Sequence, residues 1–348
     1  VCWALTLLVA VLASRSWAQG TTSGSPEGVG AVAPAPTLAA VAPVRVVVSI
    51  PPLRGLVEPL LPPGSSVEVL IPPGVSEHGF EIAPAALAGV AKADLVVYVG
   101  LGLEPQLEKF VRERGGKTTG GGGDVVVFAT VMGHKDDPGT DHSTHQHDEH
   151  GNCIITPGAD PHLWLDPVAC KSLVREVASR LIALRPLAGV ELRDHPIRRA
   201  ARAQMAALDG LDARFRAVVS AARKGSGPEA AEPTIVVAHD AYRLLGARYG
   251  LRTVAIAGLN AGEPKPADLA RAIAEVRQRK LIAVFVEPQI SPSAARRVAE
   301  ATGATVLTLD PLGRGDYFAT MNQNLLAIAQ ALGVDASLAA PRTEAKTR

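Results

Sequence analysis

Imidazole binds zinc, copper or nickel at neutral pH without first giving up a charge, so the placement of the nine histidines carries the chemistry of this sequence. Five of them, His134, His142, His145, His147 and His150, fall in one acidic stretch, HKDDPGTDHSTHQHDEHG. Such a tract binds several ions weakly, and it lacks a scaffold that would fix their geometry. A solvated low-complexity loop without a role is the plainer description, and its composition favours metal binding over that. Three others stand in distinct motifs: His78 in IPPGVSEHGFE, His162 in ADPHLWLDP and His239 in TIVVAHDAY. Asp310 in TVLTLDPLG is a fourth metal-competent side chain of the same kind. A single histidine in such a position is more often a hydrogen-bonded structural residue than a ligand. Four together are much less easily coincidence, and three imidazoles with one carboxylate complete a tetrahedral shell suited to zinc. His195, before Pro196, reads as a capping or surface residue. Glu263 and Glu287 lie beside prolines in loops, where solvated acids describe them better than partners of ligating imidazoles.

Positioning these residues requires strands that end beside one another. Apolar β-branched runs alternate with helical patterns twice over, which is the pattern of a parallel sheet with crossover helices. The runs at 44–50, 67–70, 95–99 and 125–128 read as strands of a first half, those at 234–238, 253–256, 281–286 and 305–309 as strands of a second. They are continuous rather than alternating, as strands covered on both faces should be. Helical spacing falls at 53–61, 84–91, 104–112, 241–249, 266–279, 293–301 and 317–332. On this reading His78, His162, His239 and Asp310 lie in turns beyond the carboxyl ends of strands, where open α/β sheets place their ligands, two in each half.

Between the halves, Ile197, Ala201, Met205, Leu208, Leu211, Phe215, Val218 and Ala222 recur at three- and four-residue steps with arginines between them. They predict one long amphipathic helix over 196–223, a stiffer tie than a loop. The fold class expected is α/β: two similar lobes with parallel sheets and crossover helices, one long rigid linking helix and a metal site in the cleft. The organisation expected is a signal peptide over 1–18, a flexible leader over 19–43 and an N-terminal lobe over 44–190 with the His-rich loop at 133–151. The linking helix over 191–224, a C-terminal lobe over 232–335 and a disordered tail over 336–348 complete it. The short apolar run 3–13 with Ser16-Trp17-Ala18 behind it predicts export and cleavage near Ala18. Lys and Arg number 35 against 34 Asp and Glu, a balance that gives no footprint for nucleic acid. An oxidising compartment would permit a disulfide between Cys153 and Cys170, but their pairing does not follow from the sequence.

The motifs VVSIPPLRGLVEPLLPPGSSVEVLIPPGVSEHGFEIAP, AKADLVVYVGLGLE, DPHLWLDP, AHDAYRLLGARYGL and EPQISPSAARRVAEATGATVLTLDPLG together resemble the metal-binding substrate-binding proteins of ABC transporters. That family includes zinc uptake binding proteins and manganese-binding lipoprotein adhesins, and the resemblance runs in order through 44–333. It implies two α/β lobes joined by a long helix, with the ion between them. It places the ligands on His78, His162, His239 and Asp310, and adds Glu77, which matches a glutamate of zinc-type members. Manganese members usually carry glutamate at the position of His239. An imidazole there implies zinc, because manganese favours oxygen donors.

Residue chemistry and resemblance together imply an exported, periplasmic, monomeric solute-binding protein with Zn2+ as its transported solute and an ABC importer permease with its ATPase as partner. A manganese-preferring adhesin and a periplasmic metal buffer are the alternatives. A zinc hydrolase is the third, since three histidines with an open position also suit an activated water. Neither HExxH nor GxSxG, GxGxxG or GxxxxGK[ST] is present, and Asp310 would close the shell, so no enzyme is expected.

Overall fold

The computed structural model describes residues 36–115, 124–133, 160–225 and 232–341. The expected signal peptide, most of the leader, the His-rich loop with its five histidines, and Cys153 lie outside the described residues.

The first half builds one four-stranded parallel sheet from β1 (Arg45–Val48), β2 (Ser66–Val69), β3 (Leu95–Tyr98) and β4 (Asp124–Val127), in the order β2-β1-β3-β4. Its helices are α1 (Pro51–Val57), α2 (Pro84–Val90), α3 (Pro105–Glu113) and the single turn α4 (Phe128–Val131). Then come α5 (Pro167–Leu184) and the long α6 (Pro196–Gly225). The second half repeats the plan with β5 (Thr234–His239), α7 (Arg243–Tyr249), β6 (Arg252–Ala257), α8 (Pro266–Arg279), β7 (Ala283–Val286), α9 (Ser293–Thr302), β8 (Thr305–Thr308) and α10 (Tyr317–Ala331). Its parallel sheet has the order β6-β5-β7-β8. In both sheets the first strand in sequence has neighbours on either side, so successive crossovers leave in opposite directions. A crevice opens at the carboxyl ends of the strands where they part.

Local sequence accounts for these elements. Val46, Val47, Val48, Val96 and Val97 are buried on alternating sides of β1 and β3, as a strand covered on both faces requires. Helices α1, α2, α3, α5, α6 and α8 each open on proline, whose fixed φ and missing N–H suit a first helical turn. One core cluster runs from Val41 through the inner faces of both sheets and the apolar stripe of α6 to Ala339. Separate clusters cover the outer faces, with Val90, Leu107 and Val111 on the first sheet and Ala272, Val276 and Val298 on the second. The two lobes therefore share a core, spanned by a helix of about 45 Å at 1.5 Å per residue.

The structure departs from the sequence reading in three places. Helix α5 had no counterpart there, although Asp166 caps it by accepting from the Val168 N–H at 2.9 Å with Pro167 next in line. The leader expected through 43 is ordered from Pro36: Leu38–Ala40 forms a 3-10 turn, and Val41 and Val44 are buried. The tail expected from 336 also begins ordered, with a 3-10 turn at Ala336–Leu338 capped by Asp335 and Ala339 in the core. Single apolar side chains anchor both segments, a signal too sparse to register as periodicity.

Candidate metal centre

Glu77 and His78 stand in the loop that follows β2 and reaches α2 only at Pro84. His162 caps a 3-10 turn, Leu163–Leu165, just ahead of α5. His239 is the last residue of β5. These four offer ligand atoms that all lie within 4.8 Å of one another. The set joins both halves, with three residues from the first and one from the second.

Its geometry is specific. His162 Nε2 lies 3.3 Å from His78 Nε2 and 3.2 Å from His239 Nε2. Glu77 Oε1 lies 3.8 Å from the Nε2 atoms of both His78 and His162. A tetrahedron with metal–nitrogen bonds of about 2.05 Å has edges of roughly 3.3 Å, so His162 Nε2 stands at the spacing of a zinc shell from both other imidazoles.

Two carboxylates fix the imidazoles. Asp160 Oδ1 takes the His162 Nδ1 hydrogen at 2.8 Å and its backbone N–H at 3.0 Å, while Asp160 Oδ2 accepts from Arg243 Nε at 3.3 Å. Glu287, at the end of β7, does the same for His239: Oε2 meets Nδ1 at 2.6 Å and Oε1 accepts the backbone N–H at 3.2 Å. With Nδ1 carrying the hydrogen, the Nε2 of each neutral ring is the nitrogen left to bind a metal, and the two lie 3.2 Å apart.

The titration behaviour reflects burial and these neighbours. Burial, then the charges of His162 and His239, push the His78 imidazole down to about 2. Burial raises the Glu77 carboxyl, against the pull of His162 and His239. Burial lowers His239, but the hydrogen bond and charge of Glu287, with the charges of Glu77 and Asp240, together outweigh it and leave the imidazole above its ordinary value. Glu77 Oε1 is buried and has no hydrogen-bond partner among the described residues.

Asp310 stands just beyond β8, and the four-residue set does not include it. Its Oδ1 accepts from Gln289 Nε2 at 2.7 Å and from the N–H groups of Leu312 and Gly313 at 3.0 and 2.8 Å. Glu287 is not the solvated acid the sequence suggested: it is buried against His239. Glu263 is exposed, as expected. His195 is buried rather than at the surface, and its Nδ1 accepts from the Ile197 N–H at 3.3 Å at the start of α6. Asp160 escaped the sequence reading, although its place two residues before His162 lets one carboxylate reach both the ring and the backbone of that residue.

Two parallel α/β lobes with a shared core and a histidine-rich cluster spanning their cleft define a two-lobed metal-binding protein. A model of the family described as "ZnuA: Zinc-uptake complex component A periplasmic" matches residues 46–331, and the chain belongs to that family. Among curated relatives, "Zinc-binding lipoprotein AdcA" of Streptococcus pneumoniae is 28% identical over 279 residues, which is 76% of this chain and 51% of that protein. "High-affinity zinc uptake system protein ZnuA" of Bacillus subtilis is 26% identical over 302 residues, covering 83% of this chain and 88% of the relative. The chain thus spans about half the length of the AdcA relative and most of the ZnuA one. Of solved structures, "Crystal structure of ZnuA" superposes with TM-score 0.64 at 24% identity over 84% of this chain and 100% of its own. The periplasmic zinc binding protein TroA from Treponema pallidum gives 0.64 at 23%, over 84% and 99%. These likenesses show the same two-lobed fold.

Proposed function

We propose that this protein captures Zn2+ outside the cytoplasm and delivers it to the permease of an ABC importer driven by its ATPase. The observation that carries this is the pair of carboxylate-fixed imidazoles, His162 and His239, whose Nε2 atoms lie 3.2 Å apart, with His78 Nε2 3.3 Å from His162 Nε2. Three neutral nitrogens in that arrangement favour zinc over manganese, which prefers oxygen donors and higher coordination. Glu77 is the oxygen donor of this reading, because its Oε1 lies in the set and has no other partner. Asp310 serves instead to shape the strand end, since three N–H donors already occupy its Oδ1. The His-rich stretch containing His134, His142, His145, His147 and His150 is an auxiliary, weaker collector of the same ion.

Four protein ligands leave no position for an activated water, so the site binds and releases and does not catalyse. The names of the AdcA, ZnuA and TroA relatives, all zinc-binding or zinc-uptake proteins, agree with the cargo. On this reading the protein is an exported monomer whose signal peptide ends near Ala18; no helix among the described residues is long and apolar enough to cross a membrane. The test is elemental analysis of protein purified without added metal, followed by chelator-competition titration. About one zinc per chain, held against an equal concentration of manganese, is expected for one tetrahedral site. Manganese displacing zinc at parity would overturn the cargo, and wild-type affinity in His239→Ala would overturn the site.

A further inference from the structure

His162 belongs to the first lobe and His239 to the second, so their rings must be held at the spacing of one shell across the lobe boundary. His162 lies inside a segment, 160–166, every member of which is buried. A carboxylate stands at each end of it, and each is met by an arginine of α7. At the near end Arg243 Nε donates to Asp160 Oδ2 at 3.3 Å. The same nitrogen lies 3.9 Å from Asp240 Oδ2. One guanidinium thus reaches both the carboxylate that holds the His162 ring and the residue next to His239. At the far end Arg248 Nε donates to both oxygens of Asp166, at 3.1 and 2.9 Å, and Nη2 adds a bond to Oδ2. Between the two ends, the 3-10 turn Leu163–Leu165 packs against α7.

Helix α7 begins four residues after His239, the last residue of β5, so it is tied closely to that imidazole. Side-chain exposure is 2% for Asp160 and 8% for Asp166, against 44% for Arg243 and 34% for Arg248. The guanidinium groups therefore close over the buried acids from the solvent side. Charge-assisted bonds of this kind are strong and directional, and a pair of them at opposite ends restrains both the place and the tilt of the segment. We propose that Arg243 and Arg248 are positioning residues of the metal site, which clamp the 160–166 segment to α7 and so hold the His162 imidazole at binding distance from His239. Neither is among the four residues whose ligand atoms converge. Their contribution is preorganisation: a cradle already spaced for the ion has less freedom to lose on binding.

This proposal rests on the zinc reading of the site, and the two fail in different ways. Zinc affinity is measured by chelator competition for wild type, Arg243→Met, Arg243→Lys, Arg248→Met and the variant carrying both methionines. The melting temperature of each metal-free protein and the visible spectrum of its cobalt(II) form are recorded alongside. The sign of the change decides. Removing positive charge near a cation would by itself tighten zinc, whereas loss of positioning weakens it. The double variant should bind zinc about tenfold more weakly, the low end of what losing a partner behind a metal ligand costs, and its cobalt bands should shift as the shell distorts. Arg243→Lys can still donate to Asp160 and should recover most of the Arg243→Met loss. If the double variant does not fold, Arg243→Met alone should still weaken zinc and shift the cobalt bands. With tight wild-type binding, unchanged or tighter zinc in the variants would overturn the clamp. So would lowered melting temperatures with wild-type affinity, which would assign the arginines to stability alone. A wild type that holds no zinc tightly would sink the zinc reading first and the clamp with it.

Discussion

Trp164, beside the ligand His162, donates its indole Nε1–H to the carbonyl oxygen of Pro311 at 2.7 Å, joining the first lobe to the loop after β8 in the second. The Tyr317 hydroxyl returns the connection by donating to the Trp164 carbonyl at 3.0 Å, and Arg248 Nε donates to Asp166 at 2.9 Å. These bonds surround a core common to both lobes, so separating the lobes would expose buried polar groups as well as apolar surface. Trp164→Phe should leave the Pro311 carbonyl unpaired and cost about 1–3 kcal/mol in denaturant titration. Small-angle scattering should show nearly the same radius of gyration with and without zinc, and a large contraction on loading would refute the shared core as a brake on hinge motion.

The carboxylates behind the imidazoles should matter almost as much as the ligands. Asp160→Asn and Glu287→Gln each keep shape but lose the charge that fixes the Nδ1 hydrogen. Each is expected to weaken zinc by about 10- to 100-fold, as losing such partners typically does. Chelator competition reads this directly, and wild-type affinity in both variants would show that ring orientation is set by packing alone.

Proton competition should centre on His239. Its imidazole sits above its ordinary 6.5, because Glu287, with Glu77 and Asp240 behind it, stabilises the charged form more than burial opposes it. That partnership stabilises the metal-free fold fully below about pH 6.5 and is lost as pH rises through the raised value. Zinc needs the neutral ring, so its affinity should fall on acidification, by about tenfold per pH unit for each proton displaced. Calorimetry in buffers of different ionisation enthalpy should register proton release at neutral pH. His78, driven to about 2, should contribute none.

Glu104 gives a separate pH effect away from the site. Its oxygens accept from the N–H groups of Val99 and Gly100 at 3.1 and 3.0 Å, and burial pushes its carboxyl up to about 7. A carboxyl raised in the fold contributes stability that is present below its ordinary 4.5 and lost as pH climbs to about 7. Glu104→Gln should flatten this decline, which amounts to up to about 3 kcal/mol. Metal-free denaturation curves at pH 5 and pH 8 measure it, and an unchanged slope would remove Glu104 from the account.

Much of this architecture could be read from residue patterns, and the reasons differ by element. The strands came within two residues because runs rich in valine mark them, buried throughout in β3 and β5 but largely open at the edges in β2 and β8, and α6 because its apolar stripe persists along most of its length. Helix α5 was missed although Asp166-Pro167 marks its start and Cys170, Leu173, Val174, Val177, Ala178, Leu181 and Ile182 recur at three- and four-residue steps, a legible signal that was not read. At the site, histidine type and strand-end position pointed to His78, His162 and His239. The role of Glu287 depends on where crossovers bring distant segments, since it meets His239 across 48 residues. A carboxylate in a loop looks the same in sequence whether water or an imidazole receives it.

The three imidazoles of the cluster are not equally held. His162 and His239 are gripped at Nδ1 and at the backbone by a buried carboxylate, while the His78 backbone N–H meets only Ser76 Oγ at 3.2 Å. His78 is also the member whose side chain keeps 9% of its surface open to solvent, and it rides on a loop without regular structure between β2 and α2. Of the three imidazoles His78 is the least restrained, so on the zinc reading it is the one expected to bind last and let go first. The 70–83 loop then offers a way to unload without dismantling the cradle, and a stiffer loop should slow zinc dissociation.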